Sequence, residues 1–336
     1  MTLNIRWWRN LALGLLAIGL LIVYVVWRQW QTRGSLEDID WSSAMVALEP
    51  GEAVTATWLG TTTILFDDGE TQVLIDGTFT RVNPISVILS LPIKSDIANI
   101  NYALSTFRIN RLAAIVPVDS HFDHAIDIGH IANRTSAVVL GSESTANVAR
   151  GEDVPVDQYQ ILDDGESRQF GDFMIKLIAS RHAPISDGDE EYFPGLIGLP
   201  VRQPARVSEW KTGVTWSIII GHPRGNTLVQ GSGGFIQDKL ADESVDVVML
   251  SIAKLAGLGR EYVDTLWQET VVATDAARVI AIHHDDYTQP FGEVKLLPDM
   301  LDNVDKTTVW LEEIRTSTVP ETTLELPPFG QPMILY

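Results

Sequence analysis

The stretch Val118-Asp119-Ser120-His121-Phe122-Asp123-His124 decides how the rest of this chain is read. It follows Leu112 to Val118, a short and almost wholly apolar run of the kind that forms a strand buried on both faces. Asp119, His121, Asp123 and His124 alternate so that several of them can point into one pocket. Their imidazoles and carboxylates suit zinc, manganese or iron. The chain has seven histidines, and none precedes His121. A single histidine at a strand end is ordinarily structural or solvated. Here His182 follows a strand expected over Phe173 to Ala179, and His283 follows one expected over Val279 to Ile282. Four strand-end histidines beside two close acids point to a metal site.

Outward from that stretch, Val54 to Phe66 alternates β-branched and apolar residues, Asp67-Asp68-Gly69 signals a turn, and Thr71 to Ile75 reads as a second strand closed by Asp76-Gly77. Helices are expected over Asp96 to Arg111 and Tyr262 to Ala276. Further strands are expected over Ala137 to Gly141, Val214 to Ile220, Thr227 to Val229 and Val245 to Ser251. Hairpins come first and strand–helix alternation later, which predicts a layered α/β domain. Asp187 to Gln203, rich in Gly, Pro and acids, reads as a loop over the site. The chain divides into an N-terminal flank (1–10), an apolar anchor (11–30), a polar tether (31–53), a catalytic domain (54–319) and a C-terminal tail (320–336) with four prolines and no helical period.

The central motif resembles the HxHxDH signature of the metallo-β-lactamase superfamily. Trp58-Leu59-Gly60 and the following hairpin look like the family's opening strands, and Arg181-His182-Ala183-Pro184 fits its third histidine motif. Gln230-Gly231-Ser232-Gly233-Gly234 lies where a bridging aspartate normally falls, and Ile282-His283-His284-Asp285-Asp286-Tyr287 fits the last histidine motif. The resemblance runs from Val54 to about Ile314 in the family's order. It implies a four-layer αββα sandwich holding one or two zinc ions, with manganese or iron as substitutes. One ion would take Asp119, His121 and His182, and the second Asp123, His124 and His283. Two departures stand out: Asp119 replaces the first histidine of the signature, and Ser232 occupies the bridging position. Asp285 and Asp286 would compensate or orient His283 from behind. A metal-bound hydroxide would attack an ester, lactone or phosphodiester, with Asp123 and His284 as the catalytic groups. His222 and Tyr287 are further proton-donor candidates, and His130 reads as structural. The opening motif and the His-Asp-Asp ending are nearer the lactonase and phospholipase-D-like branches than the true β-lactamases.

Leu11 to Trp27 is a run of 17 residues without a charge, bracketed by Trp7, Trp8, Trp27 and Trp30. At 1.5 Å per residue it reaches about 26 Å, enough for a short membrane-spanning helix. Trp27-Arg28-Gln29-Trp30 is not a small-x-small cleavage site, which favours an uncleaved single-pass anchor over a signal peptide. Arg6 and Arg9 before the run, with the α-amino group, slightly outweigh Arg28 and Arg33 after it. That bias places the large domain on the periplasmic side of a bacterial inner membrane. Those four arginines are the only charged side chains before Ser35, which leaves 20 basic against 44 acidic residues for the remainder. Such a surface disfavours nucleic acid and leaves a small-molecule or lipid-like substrate as the expected partner. The absence of cysteine excludes thiolate ligands and disulfides. Two other readings remain: a catalytically degenerate metal-binding domain recognising a ligand at the membrane, for which Asp119 and Ser232 speak, and a redox di-iron centre.

Overall fold

The computed structural model describes residues 3–45, 53–185 and 190–336. The apolar residues 46–48 of the tether and the first part of the 187–203 loop therefore lie outside the described residues.

The opening segments form one sheet. Its strands are β2 (Thr55–Trp58), β3 (Ile64–Asp67), β4 (Gln72–Ile75), β6 (Leu112–Val116), β7 (Val138–Gly141), β8 (Tyr159–Ile161) and β17 (Pro332–Ile334), in the order β17-β2-β3-β4-β6-β7-β8. The second sheet contains β1 (Ser42–Ser43), β9 (Ser167–Phe170), β10 (Phe173–Ser180), β12 (Thr215–His222), β13 (Gly225–Gln230), β14 (Val247–Ser251), β15 (Arg278–Ile282) and β16 (Thr323–Leu326), in the order β1-β16-β15-β14-β13-β12-β10-β9. A small pair, β5 (Pro92–Ile93) and β11 (Ala205–Arg206), stands apart.

Side-chain alternation along the strands explains the layering. Ile64 and Phe66 of β3, and Val247 and Met249 of β14, meet in one core between the sheets. Leu65 turns the other way, into a core shared with α3 (Ile97–Thr106), α5 (Ile128–Thr135) and α6 (Glu143–Gly151). Val248 and Leu250 likewise turn outward, onto α8 (Arg260–Trp267) and α9 (Val304–Thr318). Helix, sheet, sheet, helix is the four-layer sandwich expected, and strands buried on both faces account for the unbroken apolar runs. Four helices remain: α1 (Leu3–Gln31), α2 (Pro84–Ile88), α4 (Phe122–Ala125) and α7 (Leu255–Leu258).

Two boundaries differ from the sequence reading. Residues 320–336 are not a loose tail: β16 sits between β15 and β1, β17 closes the edge beside β2, and Leu324, Met333 and Leu335 are buried. Such short strands between prolines lack helical period, and their apolar residues are recognisable only with a sheet to receive them. Nor is the described part of 31–53 a free tether. Arg33 pairs with Asp286 at 2.7 Å, Gly34 donates to Asp299 at 3.0 Å, and β1 pairs with β16.

Candidate metal centre

The parallel strands deliver their C-terminal ends to one edge of the sandwich, where ligand sites of layered α/β folds gather. After β6 the chain turns sharply. The Val118 amide donates to Asp76 and the Ser120 amide to the Thr212 carbonyl, which fixes the buried Asp119 between them. His121 caps α4, and that short helix carries Asp123 and His124 in a single turn. His182 follows β10 and bridges to Gly233. Gly234 next to it is indispensable, since a Cβ there would lie 2.2 Å from the Arg181 carbonyl oxygen. His283 follows β15 in a left-handed conformation, φ 58°, which costs a non-glycine residue about 1 kcal/mol.

The ligand atoms fall into two groups, each within 4.8 Å: Asp119 with His121 and His182, and Asp123 with His124 and His283. These are the two sets that the resemblance implies. Hydrogen bonding decides which nitrogen each ring offers. His121 donates from Nε2 to the Tyr192 carbonyl at 2.7 Å, which turns Nδ1 toward Asp119, 3.2 Å from its Oδ1. His182 donates from Nδ1 to the Ala183 carbonyl at 2.7 Å and offers Nε2. His124 donates from Nδ1 to Asp76 at 2.8 Å, and Thr62 holds the same carboxylate oxygen. Its Nε2 lies 3.8 Å from Asp123 Oδ2, as does that of His283. The buried Nδ1 of His283 has no hydrogen-bond partner among the described residues.

The charges agree with this geometry. Burial alone would lower the pKa of His124, yet Asp119, Asp76 and Asp123 outweigh it and raise it to about 10. Burial would raise Asp119, but the imidazoles of His124 and His121 hold it well below the usual carboxylate range. Asp123 is held low in the same way by His124, His121 and His283. Burial pushes His283 down to about 4, so this ring is neutral. Asp76, Asp119 and Asp123 concentrate negative charge around these imidazoles, and a metal cation taking the place of ring protons would offset it. The all-N/O donor set fits zinc, manganese or iron.

Several expectations drawn from the sequence need correction. His284 does not reach the cleft. Its ring is buried and stacks on Trp58 with centroids 4.8 Å apart, because successive residues at a strand end point to opposite sides. Asp285 and Asp286 make no hydrogen bond to His283. Asp285 accepts from the Thr61 amide, and Asp286 holds Arg33, Thr288 and Gln289. Ser232 does stand at the site, but its hydroxyl donates to Asp119 Oδ2 at 2.7 Å and so serves that ligand. His222 lies at the opposite end of β12, near Asp68 and Asp172. Its Nδ1 accepts from the Arg224 amide at 3.2 Å, so its Nε2 proton faces Asp68 and no lone pair is free for a metal there. His130 pairs with Glu152 at 3.1 Å, a structural contact as expected. Sequence reasoning missed Asp76, Thr62, Thr212 and Tyr192, which set the ring orientations. Asp76 alone left a signal, as an acid ending an apolar strand.

The two triads open on a cavity of about 120 Å³ lined also by Tyr287, Lys254, Tyr192, Val87 and Leu297. The Lys254 ammonium rests 4.3 Å from the centre of the Tyr192 ring.

With two such triads at the mouth of an αββα sandwich, the chain has the metallo-β-lactamase fold. No protein-family model matches it. It is 31% identical over 134 residues to a "UPF0173 metal-dependent hydrolase" of Heliobacterium modesticaldum, a span of 40% of this chain and 48% of the relative. The chain thus matches about half the length of that curated relative. Among solved structures it is similar to Igni18, a metallo hydrolase of Ignicoccus hospitalis, with 13% identity, a TM-score of 0.52, and coverage of 84% of this chain and 99% of that one. It is also similar to CmlA, a diiron β-hydroxylase of Streptomyces venezuelae, with 12% identity, a TM-score of 0.50, and coverage of 85% and 55%. At these identities the likeness is one of fold. A metallo hydrolase and a diiron β-hydroxylase share it, so the chemistry must be argued from the residues.

Proposed function

We propose that this chain is a membrane-anchored metal-dependent hydrolase of an ester, lactone or phosphodiester, with zinc as the resident metal. The observation that carries this reading is the fixed orientation of the rings: His121, His182 and His124 each spend one nitrogen on a fixed acceptor and turn the other toward Asp119 or Asp123. One or two cations held there would acidify a water and offset charge developing on the attacked oxygen. The remaining roles belong to the chain. Asp123, held ionised, turns Oδ2 toward His124 and His283 and is a carboxylate whose other oxygen would orient a water. Burial raises the Tyr287 phenol above its ordinary value, so it stays protonated and can donate to a leaving or developing oxygen. Apolar Val87, Phe122 and Leu297 limit water around the reacting bond.

Support for hydrolysis comes from the metal-dependent hydrolase matched over part of the chain and from Igni18. Support for the anchor comes from α1, which from Trp7 to Gln31 is long and apolar enough to cross a membrane. A second reading, a metal-binding domain without turnover, is favoured by Ser232, which leaves the bridging position without a carboxylate.

The test is metal content by mass spectrometry, together with turnover of 4-nitrophenyl esters and bis(4-nitrophenyl) phosphate, for the purified chain and a His121→Ala, His124→Ala variant. Bound metal and metal-dependent turnover, both lost in the variant, are expected. Metal without turnover of any probe would favour the second reading. A folded chain that takes up no metal would overturn both.

A further inference from the structure

We infer that the apolar rim of the metal cleft, formed by α2 and by Met300 and Leu301, sits in the lipid leaflet from which α1 emerges, so that the cleft opens onto the bilayer and takes an amphiphile from it. The inference rests on the anchor reading of α1 and deepens the substrate class proposed above.

The position of the bilayer relative to the cleft follows from how α1 is attached. Its apolar run ends at Trp27, and the helix continues to Gln31. At 1.5 Å per residue, Thr32 to Gly34 lies about 8–11 Å beyond Trp27, at or just outside the head-group layer. This segment is fixed to the domain rather than hinged from it. The Asp299 amide donates to the Thr32 carbonyl at 3.0 Å, the Gly34 amide donates to Asp299 at 3.0 Å, and Arg33 binds Asp286 and the Leu296 carbonyl, each at 2.7 Å. Leu297, two residues before Asp299, lines the metal cleft. One wall of the cleft therefore stands within about 7 Å of chain from the junction that fixes the segment after α1 to the domain.

The segments that bring Val87 and Leu297 to the cleft are apolar on their outer faces. Residues 82–93 contain no charge. In α2 Val87 turns into the cleft, whereas Ile85, Ile88 and Leu89 project the opposite way and are 60%, 74% and 61% exposed. Met300 and Leu301, next to the anchoring Asp299, are 49% and 46% exposed. A soluble surface does not ordinarily concentrate large aliphatic side chains around its own cleft, and such a patch marks a contact. The covalent and hydrogen-bonded continuity with α1 identifies the occupant as lipid. Electrostatics do not favour an anionic surface, because Asp299 and Asp38 add negative charge beside Asp305 at the junction. The rim is therefore expected to enter a neutral, phosphatidylcholine-type interface through its aliphatic side chains.

The chain has no cysteine, so single labels are straightforward to place. The full chain would be reconstituted into phosphatidylcholine nanodiscs with an environment-sensitive nitrobenzoxadiazole dye on Ile88→Cys, Val23→Cys or Asp172→Cys, and quenched with doxyl-labelled lipid. Asp172 serves as the distant control, being exposed beside His222 at the far end of the sandwich. Loss of most of the emission at positions 23 and 88, with little change at 172, is the expected result. Quenching at 23 but not at 88 would overturn the inference and leave the anchor intact. No quenching at either position would remove the anchor reading and the inference with it. Shielding of position 88 from aqueous iodide in detergent as well as in nanodiscs, without doxyl quenching, would assign the rim to a second copy of the chain and overturn the lipid assignment.

Discussion

Each cleft residue acts through the partner that fixes its proton. Asp76 shows this most directly. It touches no substrate, yet it decides that His124 offers Nε2 and makes that nitrogen more basic. Asp76→Asn keeps an acceptor for the ring and tolerates the left-handed backbone at this position, φ 56°. Its effect should therefore fall on the metal and not on the fold. Metal affinity is expected to drop roughly 10–100-fold in competition with a chelator, while the melting curve keeps its cooperativity. Affinity unchanged in Asp76→Asn would show that this carboxylate does not tune His124. His284, one residue from a ligand, has a different consequence. Burial against Trp58 lowers its pKa to about 4 from an ordinary 6.5, so the unfolded chain takes up the proton first. Its contribution is intact above about pH 6.5 and is lost as pH falls toward 4, on the order of 2 kcal/mol by pH 5. Urea unfolding at pH 7.5 and 5.0 should show that loss, and His284→Phe should reduce it. An equal loss in both proteins would exonerate this ring.

Elements that look peripheral in the sequence are structural in the sandwich. β16 and β17 complete one sheet each, and three of their neighbouring apolar side chains, Leu324, Met333 and Leu335, are buried. At about 1.5–3 kcal/mol for each such side chain, their loss would consume much of an ordinary domain's stability. A stop codon after Val319 is accordingly expected to give insoluble protein or a chain without a cooperative melt, and a soluble, cooperatively folding product would refute this. The junction after α1 behaves similarly. Asp286 is almost fully buried and loses its charge partner in Arg33→Ala, at a cost of about 2 kcal/mol given the partial exposure of the arginine. Hydrogen exchange should then quicken at Gly34 and Asp299. Exchange as slow as in the wild type would mean that β1 alone holds the junction.

At the scale of the whole molecule, two sheets each give one face to a shared core and the other to helices, and they converge their C-terminal strand ends on one edge. Residues more than 160 positions apart, such as His121 and His283, thus come into one cleft. The helix α1 joins at that same edge, with Asp286 in the loop after His283 accepting Arg33. Candidate metal site, cleft and the junction of the apolar helix consequently share one side of the molecule.

The sandwich and the six candidate ligands gathered in two groups were legible in the sequence, because buried strands leave unbroken apolar runs and imidazoles and carboxylates collect at their ends. The apolar helix was legible because 17 successive residues without a charge leave their mark in composition alone. Proton placement was not. Asp76, Thr62 and Tyr192 reach the imidazoles through backbone turns whose geometry no local pattern records, and His284 differs from His283 only in which side of a strand end it occupies. Those orientations, the sheet strands hidden in residues 320–336 and the docking of Arg33 depend on contacts between distant segments, and only the tertiary structure decided them.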